Sequence, residues 1–255
     1  SFSKSITGIC VAKLVQAGKL SFETKLNDVV PDLDSTVSIA SLLTHVSGYT
    51  HDITQKPAKY KGHDKEYLEW VSRKEIEKGR KPSKIGKFRY NNSNYAMLGA
   101  VIRKITGKSY EQACDEIVFA GIGISDVDLN PEWRIMSAWG GWRLSALDYL
   151  KFVNTYFDKR HVLGASPFMY PHFKFDNGLR YGMGYNFRTG RKGGNNFWHN
   201  GRWHANRSGK KYRFGAYFVS FDNGWSVSAN YDISALNNED GELDRLIAEA
   251  THLPL

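Results

Sequence analysis

The first twenty residues, SFSKSITGICVAKLVQAGKL (residues 1–20), predict a helix with a Ser-x-x-Lys tetrad at its start. Apolar residues recur at helical spacing, and Gly18 ends the run. Residues three apart on a helix are offset by about 60° and roughly 4.5 Å, so Ser1 Oγ and Lys4 Nζ can meet. The helix N-terminus favours an alkoxide and a neutral amine, which suits a nucleophile–base pair. The alternative interpretation is a Ser that caps the helix, followed by a surface Lys, because these residues give the same sequence pattern.

Composition narrows the class of protein. The 255 residues suffice for one large domain or two modest ones, with 41% hydrophobic and 24% charged residues, as in ordinary globular proteins. The net charge of +9 is spread along the chain, and its densest stretch, residues 78–87, is interpreted as a solvated loop. Since no zinc-finger spacing or RNA-binding aromatic signature accompanies this basic stretch, we expect no nucleic-acid partner. No apolar run is long enough to span a bilayer.

Helical patterns dominate the middle of the chain, and strand patterns come late. The late strand Phe214–Phe221 is followed by Asp-Asn-Gly, a hairpin signal, and then by alternating residues from Trp225. The order predicts an α+β fold, an antiparallel sheet flanked by helices with an inserted, mostly helical region. The other predicted helices are Ser38–Val46, Glu66–Lys78, Ser93–Thr106, Tyr110–Phe119, one beginning at Ser145, and one near the C-terminus through Leu243 and Ile247.

Two further motifs carry polar groups that suit chemistry. Tyr90 and Asn92 bracket one residue before a helix, so in extended backbone both side chains face one site. The alternative is an Asn-rich turn that caps the helix. His199 is followed two residues later by Gly201, which allows the backbone to approach a ligand closely. The alternative there is a structural His at the end of a strand.

Taken in order, Ser-x-x-Lys, Tyr-x-Asn and His-x-Gly resemble the serine β-lactamase and penicillin-binding protein superfamily. The branch that looks most similar contains class C β-lactamases, D-alanyl-D-alanine carboxypeptidases and related esterases. The handful of other segments that resemble this family span nearly the whole chain: Leu14–Leu20, Ser41–Gly48 (SLLTHVSG), Tyr95–Ala100, Ile105–Tyr110, Gly140–Ala146 and Tyr181–Tyr185.

The resemblance implies roles for the motif residues. Ser1 is expected to be the acylated nucleophile, and Lys4 is expected to take its proton. Tyr90 is expected to share the base role and to protonate the leaving group. Asn92 is expected to hold Lys4 and the substrate amide, and His199 to act near Tyr90 by charge or hydrogen bonding.

The resemblance also implies an oxyanion hole made of the backbone N–H groups of Ser1 and Arg202, beside Gly201. Each such donor contributes about 3 kcal/mol to transition-state stabilisation. Arg202 stands where the family usually has a small residue, and it either binds a substrate carboxylate or lies on the surface. His45, within SLLTHVSG, is expected to be a structural hydrogen-bonding residue. Neither a metal nor another cofactor is expected.

The resemblance further implies a division of the chain. Residues 1–20 and 160–255 are expected to form the sheet domain, and residues 21–159 the mostly helical region that carries Tyr-x-Asn. Family members have N-terminal strands before the nucleophile helix, and these are missing here. We therefore expect a piece of a longer protein whose sheet has an exposed apolar edge. A periplasmic or secreted location is expected, although the chain contains no signal peptide, and its oligomeric state is left open.

The leading interpretation is a serine hydrolase acting on an ester, amide or β-lactam, with a small molecule or peptide as substrate. Since His replaces Lys in the third motif, an esterase or peptidase is favoured over a true β-lactamase. The alternative is a penicillin-binding sensor or inactive homologue that binds without turnover. A third hypothesis, an N-terminal nucleophile hydrolase with the Ser1 amine as base, does not need Lys4, Tyr90 and His199 in this order.

Overall fold

The structure is a computed structural model. It describes the following residues: 1–55, 66–79, 84–124, 127–129, 134–157, 166–191, 193–207, 209–232 and 239–252. Two predictions lie partly outside this part of the chain. They are the basic stretch 78–87, of which 80–83 are not described, and the domain boundary at 159/160. The division into two domains stays a prediction.

Eight α-helices are found among the described residues. Their bounds are α1 Ser3–Gln16, α2 Leu26–Val29, α3 Ile39–Leu43, α4 Tyr67–Gly79, α5 Asn92–Thr106, α6 Tyr110–Cys114, α7 Ala146–Tyr156 and α8 Glu239–His252. Helix α7 begins at a cap, since the Ser145 hydroxyl accepts a hydrogen bond from the Asp148 N–H, as the sequence predicts. The helix predicted over 110–119 is shorter, because its second half, Asp115–Phe119, is a π-helical turn.

The late strands form one antiparallel sheet with the order β3-β4-β5-β6-β7-β8, so each strand pairs with its neighbour in sequence. A separate pair, β1 with β2, lies in the helical region. The strand bounds are β1 Asp128–Leu129, β2 Trp142–Arg143, β3 Phe173–Lys174, β4 Arg180–Gly182, β5 Tyr185–Thr189, β6 Asn195–Arg207, β7 Lys210–Ser220 and β8 Ser226–Asp232. The predicted α+β fold with a flanked antiparallel sheet is confirmed.

Helix α1 lies at the centre of the fold. Eleven of its fourteen residues are buried, so almost none of the helix surface is exposed to solvent. Its buried hydroxyls are satisfied by the surrounding elements: Thr7 Oγ1 donates to the Ala138 carbonyl at 2.7 Å, and Ser5 Oγ pairs with the Tyr149 hydroxyl at 2.6 Å. The helix is therefore fixed in rotation as well as in position.

The turn between β4 and β5 packs directly on the first turn of α1. Gly184 has a φ of +83°, and a Cβ there would lie 2.2 Å from the carbonyl carbon of Lys4. Only glycine tolerates both the positive φ and this close approach. The sheet is thereby held against the helix turn that carries the Ser-x-x-Lys tetrad.

Both edges of the sheet are open among the described residues, because β3 pairs only with β4 and β8 pairs only with β7. The open edge that the sequence predicts is present at β8, but it is apolar only in part. Strand β8 reads SVSANYD, and its polar residues alternate with Val227, Ala229 and Tyr231. A small apolar cluster of Tyr217, Val219 and Ile247 forms where α8 packs on the sheet. No helix in the described part of the chain is long and apolar enough to cross a membrane.

Candidate active site

The tetrad at the start of α1 brings its two polar groups together. Lys4 Nζ lies 3.2 Å from Ser1 Oγ and 3.3 Å from the carbonyl oxygen of Trp139. Lys4 is completely buried, whereas Ser1 is half-buried. The nucleophile is thus accessible while its neighbouring amine is shielded from water. This is the arrangement that the three-residue spacing predicts.

Burial changes the charge of Lys4. Loss of solvation lowers the pKa of its amine from 10.5 to about 7, against the opposing effect of the Asp52 carboxylate. The rings of Tyr90 and Tyr95 also lie near Nζ, with centroids at 4.8 Å and 5.7 Å. A large share of Lys4 is therefore neutral near pH 7. A neutral amine has the lone pair that a general base needs.

Tyr90 completes the group around Ser1. Its hydroxyl donates a hydrogen bond to Ser1 Oγ at 3.2 Å, although the residue as a whole is 41% exposed. Desolvation of the hydroxyl raises the pKa of Tyr90 above its usual range, while the hydrogen bond to Ser1 opposes this. Tyr90 is thus protonated and able to donate. Ser1 Oγ lies within hydrogen-bonding distance of both Lys4 and Tyr90.

Asn92 lies at the same cavity but forms no hydrogen bond with Lys4. It is the first residue of α5, not part of an extended segment, and Asn91 is the helix cap. The Asn92 carboxamide nitrogen donates to Thr54 Oγ1 at 3.1 Å, and its backbone N–H donates to Asp52 Oδ2 at 3.2 Å. The structure therefore brings Tyr90 and Asn92 to one cavity, as predicted. The expected hydrogen bond from Asn92 to Lys4 is not formed, because Thr54 holds the carboxamide.

His45 supports Tyr90 from below. Its Nδ1 accepts from the Asn91 N–H at 3.3 Å and from Asn94 Nδ2 at 3.1 Å, so Nε2 carries the proton toward the Tyr181 hydroxyl at 3.2 Å. Burial, with the Lys4 charge, lowers the pKa of His45 well below its usual value, so the ring is neutral. Its ring centroid is 4.4 Å from that of Tyr90. These contacts are those of the structural hydrogen-bonding residue that the sequence analysis expects.

Strand β6 passes beside the nucleophile. A Cβ on Gly201 would lie 2.5 Å from the backbone nitrogen of Ser1, so only glycine allows this approach. Gly201 and Arg202 both line the cavity at Ser1, and Arg202 is exposed. The two backbone segments that the resemblance assigns to an oxyanion hole are therefore adjacent.

His199 lies behind this wall, not on it. It is 3% exposed, and neither ring nitrogen has a hydrogen-bonding partner in the described part of the chain. Burial, together with nearby positive charges that include Lys4, lowers the pKa of His199 well below its usual value. Tyr181 lies between it and Tyr90, with ring centroids 6.4 Å and 6.0 Å away respectively. His199 is thus neutral, and it faces Tyr90 only through Tyr181.

A cavity of about 960 Å³ opens at Ser1. Its walls are rich in aromatic and cationic side chains. They include Trp139, Trp142, Trp203, Phe214, Arg143, Arg202 and Arg213, with Asp232 at the same rim. The volume fits a drug-sized or short peptide substrate. Among the described residues, no group of three or more His, Cys, Asp or Glu side chains is placed to hold a metal ion.

Sequence reasoning missed the residues that shape the site from a distance. Trp139 binds Lys4 through its carbonyl from a π-helical turn, Ser137–Gly141. Asp52 and Glu75 accept hydrogen bonds from the first turn of α5. The only sequence signal for Glu75 is an acid at a position of α4 that the helical period turns inward.

Comparison with known proteins confirms the resemblance to this superfamily. The β-lactamase family model matches residues 1–251. Protein flp of Staphylococcus aureus (strain MW2) is 32% identical over 121 residues, which are 44% of this chain and 24% of that protein. The chain thus spans about a quarter of the length of this curated relative.

Solved structures share the fold. The penicillin-binding protein of Bacillus halodurans superposes with a TM-score of 0.73 at 19% identity, covering 99% of this chain and 85% of that one. The D-amino acid amidase of Ochrobactrum anthropi SV3, complexed with D-phenylalanine, gives a TM-score of 0.71 at 18% identity, with 98% and 90% covered. Because the family model spans nearly every residue from Ser1 onward, this chain belongs to the β-lactamase family.

Proposed function

We propose that this protein is a serine hydrolase that forms a covalent acyl-enzyme on Ser1 with an ester, amide or β-lactam. One observation carries the proposal: Ser1 Oγ lies 3.2 Å from both Lys4 Nζ and the Tyr90 hydroxyl, on the wall of an open cavity. A nucleophile with a neutral amine on one side and a protonated phenol on the other has both a base and an acid.

In the first step, neutral Lys4 accepts the proton of Ser1 Oγ as the oxygen attacks the substrate carbonyl. The negative charge that develops on the carbonyl oxygen is stabilised by the backbone N–H groups of Ser1 and Arg202. The tetrahedral intermediate then collapses, the carbon–oxygen or carbon–nitrogen bond breaks, and Tyr90 donates its proton to the leaving group. Water attacks the resulting ester in the second step, with the same groups acting in reverse.

The two remaining motif residues have supporting roles in this proposal. Asn92, with its side chain already fixed by Thr54, is proposed to bind the substrate amide from the cavity wall. Neutral His199 supports Tyr90 through Tyr181, by packing and polarity. A charge effect of His199 is not part of the proposal, because its burial disfavours the cation.

The substrate class follows from the cavity and the third motif. We favour an ester, amide or peptide over a β-lactam, since a neutral His replaces the Lys of β-lactamases at position 199. The D-amino acid amidase among the structural relatives supports an amide or peptide substrate. The proposed partner is thus a small molecule or peptide, and the proposed location is periplasmic or secreted.

The alternative proposal is a penicillin-binding sensor or inactive homologue that is acylated without turnover. Penicillin binding is supported by the name of one relative, penicillin-binding protein 4 of Amycolatopsis lactamdurans, which is 27% identical over 139 residues, 52% of this chain and 35% of that protein. An intact-mass acylation screen over a β-lactam, a D-Ala-D-Ala peptide and short esters separates the two. Acylation of Ser1 followed by recovery of the free mass supports a hydrolase, and a persistent adduct supports a sensor. If no probe acylates the protein, both are wrong.

A further inference from the structure

Glu75 is a buried acid beneath the active site that the proposed reaction does not use. It lies on α4 and is 0% exposed. No Lys or Arg side chain forms an ion pair with it in the described part of the chain. A carboxyl group in such a place needs hydrogen-bond donors to offset its loss of solvation.

Three donors reach Glu75, and all come from the segments that flank the active site. The Ser93 hydroxyl donates to Oε2 at 3.0 Å, and the Ile53 N–H donates to the same oxygen at 3.3 Å. Asn91 Nδ2 donates to Oε1 at 3.3 Å. Both carboxylate oxygens are therefore engaged, and each bond requires Glu75 to accept.

Asn91 connects this carboxylate to the catalytic groups. It stands between Tyr90 and Asn92, its Oδ1 accepts from the Ser93 N–H at 2.8 Å, and its backbone N–H donates to His45 Nδ1 at 3.3 Å. A shift of the Asn91 side chain would therefore move the cap of α5 and the residues on either side of it.

We propose that Glu75 is a positioning residue whose carboxylate, by accepting from Asn91, Ser93 and Ile53, holds the Tyr90 hydroxyl against Ser1. This inference rests on the proposed function. It implies that activity falls at low pH for a second reason besides the protonation of Lys4. A protonated Glu75 carries an O–H group, which would point at a neighbouring donor instead of accepting a hydrogen bond from it.

The surroundings of Glu75 support a titration near neutrality. Burial raises the pKa of Glu75 from 4.5 to about 7, and the negative charge of the nearby Asp52 carboxylate adds to this rise. The three hydrogen bonds to Glu75 act in the opposite direction and lower its pKa. Burial raises the pKa of the Tyr49 phenol, and the nearby Glu75 charge adds to this rise. The groups that face it from α5, Asn91 and Ser93, are neutral.

The test compares E75Q with E77Q, a matched control on the same helix whose Glu is exposed and paired with Lys74. Gln at 75 keeps the shape but turns an N–H toward at least one donor. We expect E75Q to be acylated about 10- to 100-fold more slowly at pH 8, as a displaced reacting group predicts, and E77Q to match wild type.

In wild type, the slope of log(kcat/KM) against pH approaches two below pH 7, because Lys4 and Glu75 must both lose a proton. In E75Q the slope is one.

A second variant keeps the proposal testable if E75Q does not fold. S93A removes one donor, which raises the pKa of Glu75 further and moves the acid limb to higher pH. The proposal is overturned if folded E75Q keeps the wild-type acylation rate and the wild-type slope of log(kcat/KM) against pH. It is also overturned if the acid limb of the pH profile does not move in S93A. If no probe acylates wild type, the proposed function fails. Crystal structures then decide this inference: a Tyr90–Ser1 contact that stays at 3.2 Å in E75Q overturns it.

Discussion

Replacing Lys4 by Met removes the proposed base and keeps a side chain of similar length. Lys4 contacts Ser1 Oγ and the Trp139 carbonyl, and its pKa falls from 10.5 to about 7. At pH 7 about half of the buried amine is neutral, compared with roughly 3 in 10,000 for an unperturbed lysine. The fold thus makes Lys4 a usable base. General-base catalysis contributes 10²- to 10⁴-fold, so we expect acylation of Lys4→Met to fall about 10³-fold.

The same variant has an opposite effect on stability. The unfolded chain binds a proton at Lys4 up to pH 10.5, whereas the folded chain releases it near pH 7, so wild-type stability rises with pH between about 7 and 10.5. At pH 7, where half of the folded chain already has a neutral amine, burial of Lys4 costs about 4 kcal/mol at about 1.4 kcal/mol per pH unit. Two lost hydrogen bonds offset about 2 kcal/mol. We therefore expect the free energy of unfolding of Lys4→Met to exceed that of wild type by about 2 kcal/mol at pH 7.

Stopped-flow acylation and urea unfolding at pH 7 and pH 9 measure both effects. The matched control is Lys13→Met, on the same helix but beside Tyr156 instead of Ser1, which should keep wild-type acylation. The advantage of Lys4→Met in stability should shrink at pH 9. Acylation of Lys4→Met at the wild-type rate, or a loss of stability at pH 7, refutes the role of Lys4 as a buried, largely neutral base.

Further predictions address other parts of the site and the fold. Tyr90→Phe removes the proton donor and should slow acylation about 100-fold with unchanged thermal stability, as measured by stopped flow and calorimetry. Gly184→Ala meets the Lys4 backbone at 2.2 Å and a φ of +83°, so urea unfolding should show a loss of about 2 kcal/mol or more. Ser145→Ala removes the cap of α7, and the same assay should show a loss of about 1 kcal/mol.

Features with local causes were predictable from the sequence. The Ser1–Lys4 pair follows from helix spacing, and the turn after β7 follows from Asp222-Asn-Gly. Each of these depends on residues within a few positions of one another, where backbone geometry decides the outcome.

Features that depend on distant segments were not predictable. The carboxamide of Asn92 is held by Thr54, from a segment 38 residues earlier, so its expected hydrogen bond to Lys4 does not form. Likewise, the burial of His199 depends on how β6 packs against its neighbours. Periodicity does not reveal which polar group wins such a competition, because the partners meet only in the folded chain.

The most direct test of the account is the mass of the protein after brief exposure to an ester or D-alanyl peptide probe. We predict an adduct of the acyl group, mapped by peptide sequencing to Ser1, that forms in wild type and is absent in Ser1→Ala. We also predict that the adduct decays as the free protein returns. An adduct that persists or forms equally in Ser1→Ala, or no adduct with any probe, would contradict the assignment of Ser1 as the nucleophile of a hydrolase.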